Sequence, residues 1–199
     1  MRLIWPSVAI VLLVFGNGNN VAHAASKSKA DRPLFDAFQE FCVETDARFD
    51  VITKAVNAAD FEIRKRTSAS TNFPMPMSVT IWDMTFEGHK MMLNAGHTTE
   101  PAGPAMVTEV DNCGFSSSAN EDRGIAELRK WAGPPSRASS TMTLYDFEVQ
   151  GETRIPLKDE ASRHAAQAAG HAWHLTIIDG KTNAQVTLSH DGPVHPKTN

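Results

Sequence analysis

The chain has 199 residues, 41% of them hydrophobic, with 19 basic against 23 acidic side chains and a net charge of −4. Those values fit one ordinary globular domain with a real core, and the interspersed charges exclude the basic stripe of a nucleic-acid-binding protein. No apolar run is long enough to span a bilayer core of about 30 Å.

Residues 1–24 have the pattern of a cleavable secretory signal: Arg2, an apolar run from Val8 to Phe15, and small residues ending in Ala22-His23-Ala24. Cleavage is expected after Ala24. Gly16, Asn17 and Gly18 interrupt the apolar run too early for an anchor, and no cysteine follows it directly for lipid attachment. The mature chain is therefore expected to be periplasmic or extracellular, without a membrane span. In such an oxidising compartment Cys42 and Cys113 are expected to form a single disulfide, since neither belongs to a C-x-x-C motif.

Helices open the mature chain. Asp31 is placed to cap a first one with Pro33 in its opening turn, and Leu34, Phe38, Phe41, Cys42 and Thr45 fall on one face. A second is expected from Val51 to Ala59 with Asp50 as its cap, and Phe61 and Ile63 continue the apolar pattern. Arg64 to Thr71 reads as a polar loop.

From Met77 the period becomes two. Val79, Ile81, Trp82 and Met84 mark a strand, Glu87-Gly88 a turn, and His89 to Asn94 the antiparallel partner. A loop containing Gly96, Pro101, Gly103 and Pro104 then leads to a third strand, Met106 to Val110. After Cys113 come a serine turn and a helix, with Ser118 and Glu121 as a capping box and Gly133-Pro134-Pro135 as the stop.

The clearest strand signal is TMTLYDFEVQ, where Tyr145, Phe147 and Val149 alternate with Leu144, Asp146 and Glu148. Gly151 turns it toward a short run at Arg154 to Leu157. An alanine-rich helix is expected from Asp159 to Ala169, then a hairpin of His171 to Ile178 with Ala184 to His190. The tail, residues 192–199, has no apolar pattern and is expected to be flexible. The order of elements predicts an α+β domain over residues 25–191, with a mainly antiparallel sheet of about five to seven strands, N-terminal helices, two further helices and one disulfide.

The chemistry-bearing residues do not assemble into a known catalytic pattern. His171 and His174 are three apart, which on a strand sends them to opposite faces and weakens a shared metal site. Ser116, Ser117 and Ser118 lie between strand and helix, but Gly114-Phe115-Ser116-Ser117-Ser118 lacks the second glycine of a nucleophile elbow. The adjacent Ser189, His190 and Asp191 point apart on a strand and cannot form a triad.

One compositional bias stands out. Met75, Met77, Met84, His89, Met91, Met92 and Met106 fall in one short span, and Met75-x-Met77 and His89-x-Met91 each place two soft ligands on one side of an extended chain. With Trp82 between them, this set resembles in residue type the methionine, histidine and tryptophan site of small periplasmic copper carriers. The resemblance implies Cu(I) held by Met75, Met77, His89 and Met91; the residue pattern read alone gives methionines that fill a core.

The expected function is an exported, non-enzymatic binding or envelope-interaction domain for an envelope protein or small ligand, with no cofactor, no catalytic residue and no nucleic-acid partner. The alternatives are the Cu(I) carrier and a hydrolase whose site forms only in three dimensions.

Overall fold

The structure, a computed structural model, describes residues 32–59, 63–70, 77–118, 122–151, 153–180 and 183–197, with backbone alone for 63–70 and for 77 and 78. The expected signal and its cleavage site, Asp31, Phe61, Met75 and Glu121 lie outside those residues.

Helix α1 (Pro33–Phe38) runs into a π-helical turn, Gln39–Val43, in which the Glu44 N–H donates to Gln39 O at 2.9 Å. Leu34, Ala37, Phe38, Phe41 and Cys42 recur three and four residues apart, and all are buried. Helix α2 (Phe49–Ala58) starts earlier than its sequence pattern suggests, with Arg48 rather than Asp50 at the cap position. Asp50 instead lies in the first turn, near the helix's positive end, and pairs with Arg48 at 3.3 Å and Lys54 at 3.8 Å.

Strands β1 (Ile63–Ser70), β2 (Met77–Phe86), β3 (His89–Gly103) and β4 (Met106–Ser117) follow, then helix α3 (Asp122–Ala132). After it come β5 (Arg137–Ala138), β6 (Met142–Gln150), β7 (Thr153–Pro156), helix α4 (Glu160–Ala168), β8 (Ala172–Asp179), β9 (Ala184–Asp191) and β10 (His195–Pro196). They form one ten-stranded sheet ordered β1-β2-β3-β4-β9-β8-β6-β5, with β10 beside β4 and β7 beside β6. Every pairing is antiparallel.

Three stretches read as irregular from the sequence are strands. Arg64 to Ser70 belongs to β1, the outermost strand, where pairing on one side only allows a charged sequence without alternation. Gly96 to Gly103 continues β3, and Asp111 to Ser117 continues β4, because each pairs with the other over its whole length. Cys113 is consequently in mid-strand, opposite Ala95 and Leu188, and not at a corner. The β2–β3 turn does match its sequence signal: Glu87 and Gly88 both have positive φ, at 48° and 83°, the geometry of a two-residue hairpin. Asp159 caps α4, accepting from the Ser162 N–H at 2.7 Å. Past Gly192 the tail lies along β4, with His195 opposite Val107 and Pro196 opposite Met106.

Strand parity divides the sheet into two faces. One carries Trp82, Leu93, Phe115, Leu188, Leu175, Tyr145 and Phe147, all buried against α1, the π turn, α2 and α3. Trp131 of α3 closes this core, meeting Phe38 and Phe147 edge-on at 5.7 and 5.9 Å. Cys42 of the π turn is bonded to Cys113 of β4 across the same layer, both fully buried. Among the described residues, the opposite face bears only α4, seated at one end over Leu157, Ala166 and Ala172.

Candidate functional site

Apart from the end that α4 covers, this helix-free face is built by the alternate residues of six strands, β2, β3, β4, β9, β8 and β6, and its character is set by what those positions hold. A single cross-strand row reads Ile81, Asn94, Gly114, Thr187, Thr176 and Leu144. The next row reads Val79, Gly96, Asn112, Ser189, His174 and Asp146. Hydroxyl and amide side chains thus occupy the middle of the face, whereas the same strands put leucine, phenylalanine and valine on the other side.

At the α4 end of this face His174 is held on both ring nitrogens. Asp146 of β6 lies 2.8 Å from Nδ1, and Asp191 of β9 lies 3.3 Å from Nε2. Burial by itself would lower the ring's pKa, but hydrogen bonds to Asp191 and Asp146 and the charge of both carboxylates outweigh it, so the pKa is pushed up to about 9. At neutral pH the ring is an imidazolium with two N–H donors and no lone pair to accept a proton or bind a metal. Gln167 Nε2 donates to Asp191 at 3.1 Å, and Arg163 lies 4.0 Å from Asp146. The cluster therefore fastens β6, β8, β9 and α4 together. Glu100 shares the field: its pKa is raised by burial first and then by the charge of Asp191.

At the hairpin end of the same face lies a groove of about 660 Å³. Thr85, Lys90 and Ser118 form one row of its lining and Asp83, Met92 and Ser116 the next, all on the helix-free parity, with Asn183 closing one side. The volume is in the range of small-ligand sites, and the lining offers hydroxyls, an amide, the Asp83 carboxylate, one ammonium group and the thioethers of Met84, Met91 and Met92.

A third cluster sits beyond the helices on the other face. His97 lies between Asp111, 2.9 Å from Nδ1, and Glu109, 3.0 Å from Nε2, while Thr99 donates to Glu109 at 2.8 Å and His195 approaches it at 3.6 Å. Among the described residues, no group of three or more histidine, cysteine, aspartate or glutamate side chains converges in a way that could hold a metal ion.

The residues singled out from the sequence are dispersed. Met77 is opposite Ser70 at one end of β2, whereas His89 is opposite Phe86 at the other, a span of about 30 Å. Met91 faces Met84 in the core and is 4% exposed. His171 is 3.5 Å from Glu148, away from His174 and its two aspartates. Ser116 and Ser117 are strand residues of β4, with Ser117 buried, so no elbow exists there. Asp191 faces His174, whereas its neighbour His190 stacks on Trp173 at 4.1 Å on the other face, as strand parity requires.

No family model matches the chain, and neither a curated protein nor a solved structure matches it.

Proposed function

We propose that the chain is an exported, non-enzymatic binding domain whose recognition surface is the helix-free face of its sheet. The carrying observation is the groove at the hairpin end, where Thr85, Lys90, Ser116, Ser118 and Met92 line about 660 Å³ on a part of the face away from α4. Its donors, acceptors and apolar patch suit a small polar ligand or an exposed segment of an envelope protein. His174, the histidine of this face, has both ring nitrogens committed to carboxylates, which supports binding over turnover at that position. The buried disulfide agrees with residence outside the cytoplasm.

Ligand-observed NMR against a set of small polar and amphipathic molecules tests the reading. Binders should lose their signal with Ser116→Trp, which fills the groove, and keep it with Arg137→Ala in β5, at the opposite edge of the sheet. Binding indifferent to Ser116→Trp, or turnover of an ester, phosphate or glycoside substrate by the purified protein, would overturn it.

A further inference from the structure

The two edges of the sheet are finished differently. On the outer side of β6, β5 pairs with Thr143 and Leu144, β7 pairs with Phe147 to Gln150, and the N–H groups of Ser139 and Leu157 donate to Met142 O and Asp146 O. That edge is closed. At the other end β1 pairs with β2 in unbroken register from Ile63 to Ser70, and among the described residues no strand pairs with its outer side. These eight residues hold no proline, glycine or bulge, so charge is the one device on this strand that guards the edge. An open strand of this kind is a template for another strand.

The charge is confined to one half, where Arg64, Lys65 and Arg66 precede the neutral Thr67, Ser68, Ala69 and Ser70. For two copies to continue the sheet antiparallel about a twofold axis, the axis must stand normal to the sheet, which keeps each face on its own side. Facing residues then share a side-chain direction, so each opposes its own counterpart or a residue an even number of positions away. Few registers remain. Centring on Lys65 or Arg66 sets that cation directly against itself, and like charges in opposition destabilise a pair. Centring on Ser68 keeps the cations apart but pairs only Arg66 to Ser70. The register centred on Thr67 pairs Arg64 to Ser70 throughout, with Arg64 facing Ser70, Lys65 facing Ala69 and Arg66 facing Ser68 of the second copy. Every cation meets a small uncharged residue. Because Thr67 is already opposite Thr80 of β2, the row through the axis reads Thr80, Thr67, Thr67, Thr80, and β-branched residues suit cross-strand pairs.

We propose that β1 is a self-association edge, at which two copies of this chain join antiparallel about Thr67 into one continuous sheet. The three cations select the register and do not forbid the contact. An acidic foreign strand would answer Arg64 to Arg66 alone, whereas a second copy uses the neutral half as well. The inference goes beyond the groove reading and does not rest on it: either can fail while the other stands.

Sedimentation velocity on the full mature chain, from micromolar to about 1 mM and from low salt to about 0.5 M salt, tests the proposal. A dimer should form with concentration and strengthen with salt, because the cations of the two copies repel across the axis and salt screens that repulsion. Ser68→Glu, which gives Arg66 of the second copy an acidic neighbour, should tighten the dimer about three- to tenfold. Ser68→Lys should weaken it by a similar factor, two equivalent pairs changing per dimer. Under mild oxidation Thr67→Cys should yield a covalent dimer, because this residue opposes itself within disulfide reach, whereas Ala69→Cys, which opposes Lys65, should not. A chain that stays monomeric at about 1 mM in high salt, a dimer indifferent to the charge at Ser68, or equal cross-linking by the two cysteine variants would overturn the proposal. So would a monomer that binds a polyglutamate peptide with affinity falling as salt rises, which assigns the edge to an acidic partner.

Discussion

His174 Nδ1 stands 2.8 Å from Asp146 Oδ1, directly across the β6–β8 pairing in which the two residues are register partners. The imidazolium this contact favours has a pKa of about 9 in the folded chain, against 6.5 for the free side chain. A raised pKa gives stability that is complete below pH 6.5 and is lost as pH rises through about 9. Thermal midpoints should therefore fall between those pH values. With the ring 36% exposed, solvent screening limits the loss to about 1–2 kcal/mol. His174→Gln should be less stable near pH 6 and should flatten the slope, and a wild-type midpoint constant from pH 6.5 to 9 would contradict the assignment.

That contact also marks where sequence reading stops. Alternation identified β6, and alanine richness identified α4, because those signals are local. The partners of His174 come from strands 28 residues before it and 17 after, and nothing local states which register unites them. The His171 and His174 pair attracted attention for its spacing, yet cross-strand parity decides the site. β1 was illegible for a different reason: an edge strand needs no apolar face, so its charged residues look like a loop. The extensions of β3 and β4 were hidden by Gly96, Pro101 and Gly114, residues that usually punctuate strands and are carried here by continuous pairing between the two.

The Cys42–Cys113 bond closes a separation of 71 residues and joins the π turn to the middle of β4. In the chain-entropy model a loop of that size stabilises by about 4 kcal/mol. Replacing both cysteines by alanine should lower the thermal midpoint by about 10 °C, measured by calorimetry. Both cysteines are fully buried, so a mild reductant should open the bond only as fast as the fold itself opens. Rapid reduction under native conditions would contradict the packing.

Export is expected to remove residues 1–24, leaving Ala25 as the first residue. Intact-mass spectrometry of protein recovered from the producing cell's envelope or medium checks this. A full-length mass in the cytoplasmic fraction, with both thiols free, would reject both the signal reading and the compartment inferred from it.

Gly114 lies at the centre of the helix-free face, between Asn94 of β3 and Thr187 of β9. A Cβ there would stand 2.8 Å from Val186 O, 2.9 Å from Thr187 Oγ1 and 3.0 Å from Asn94 Oδ1. The two side chains can rotate away, whereas the carbonyl is fixed by the sheet and cannot. Gly114→Ala should therefore destabilise by about 1–3 kcal/mol, although alanine is ordinarily the milder residue in a strand. The carbonyl predicts a particular outcome in a double-mutant cycle. Adding Asn94→Ala removes one of the three close contacts, so it should recover only a minor part of the loss. Full recovery in the double variant would identify Asn94, not the Val186 backbone, as the obstacle. A cost below about 0.5 kcal/mol in the single variant would mean that β4 and β9 can part at this point, and that the face is softer than its pairing implies.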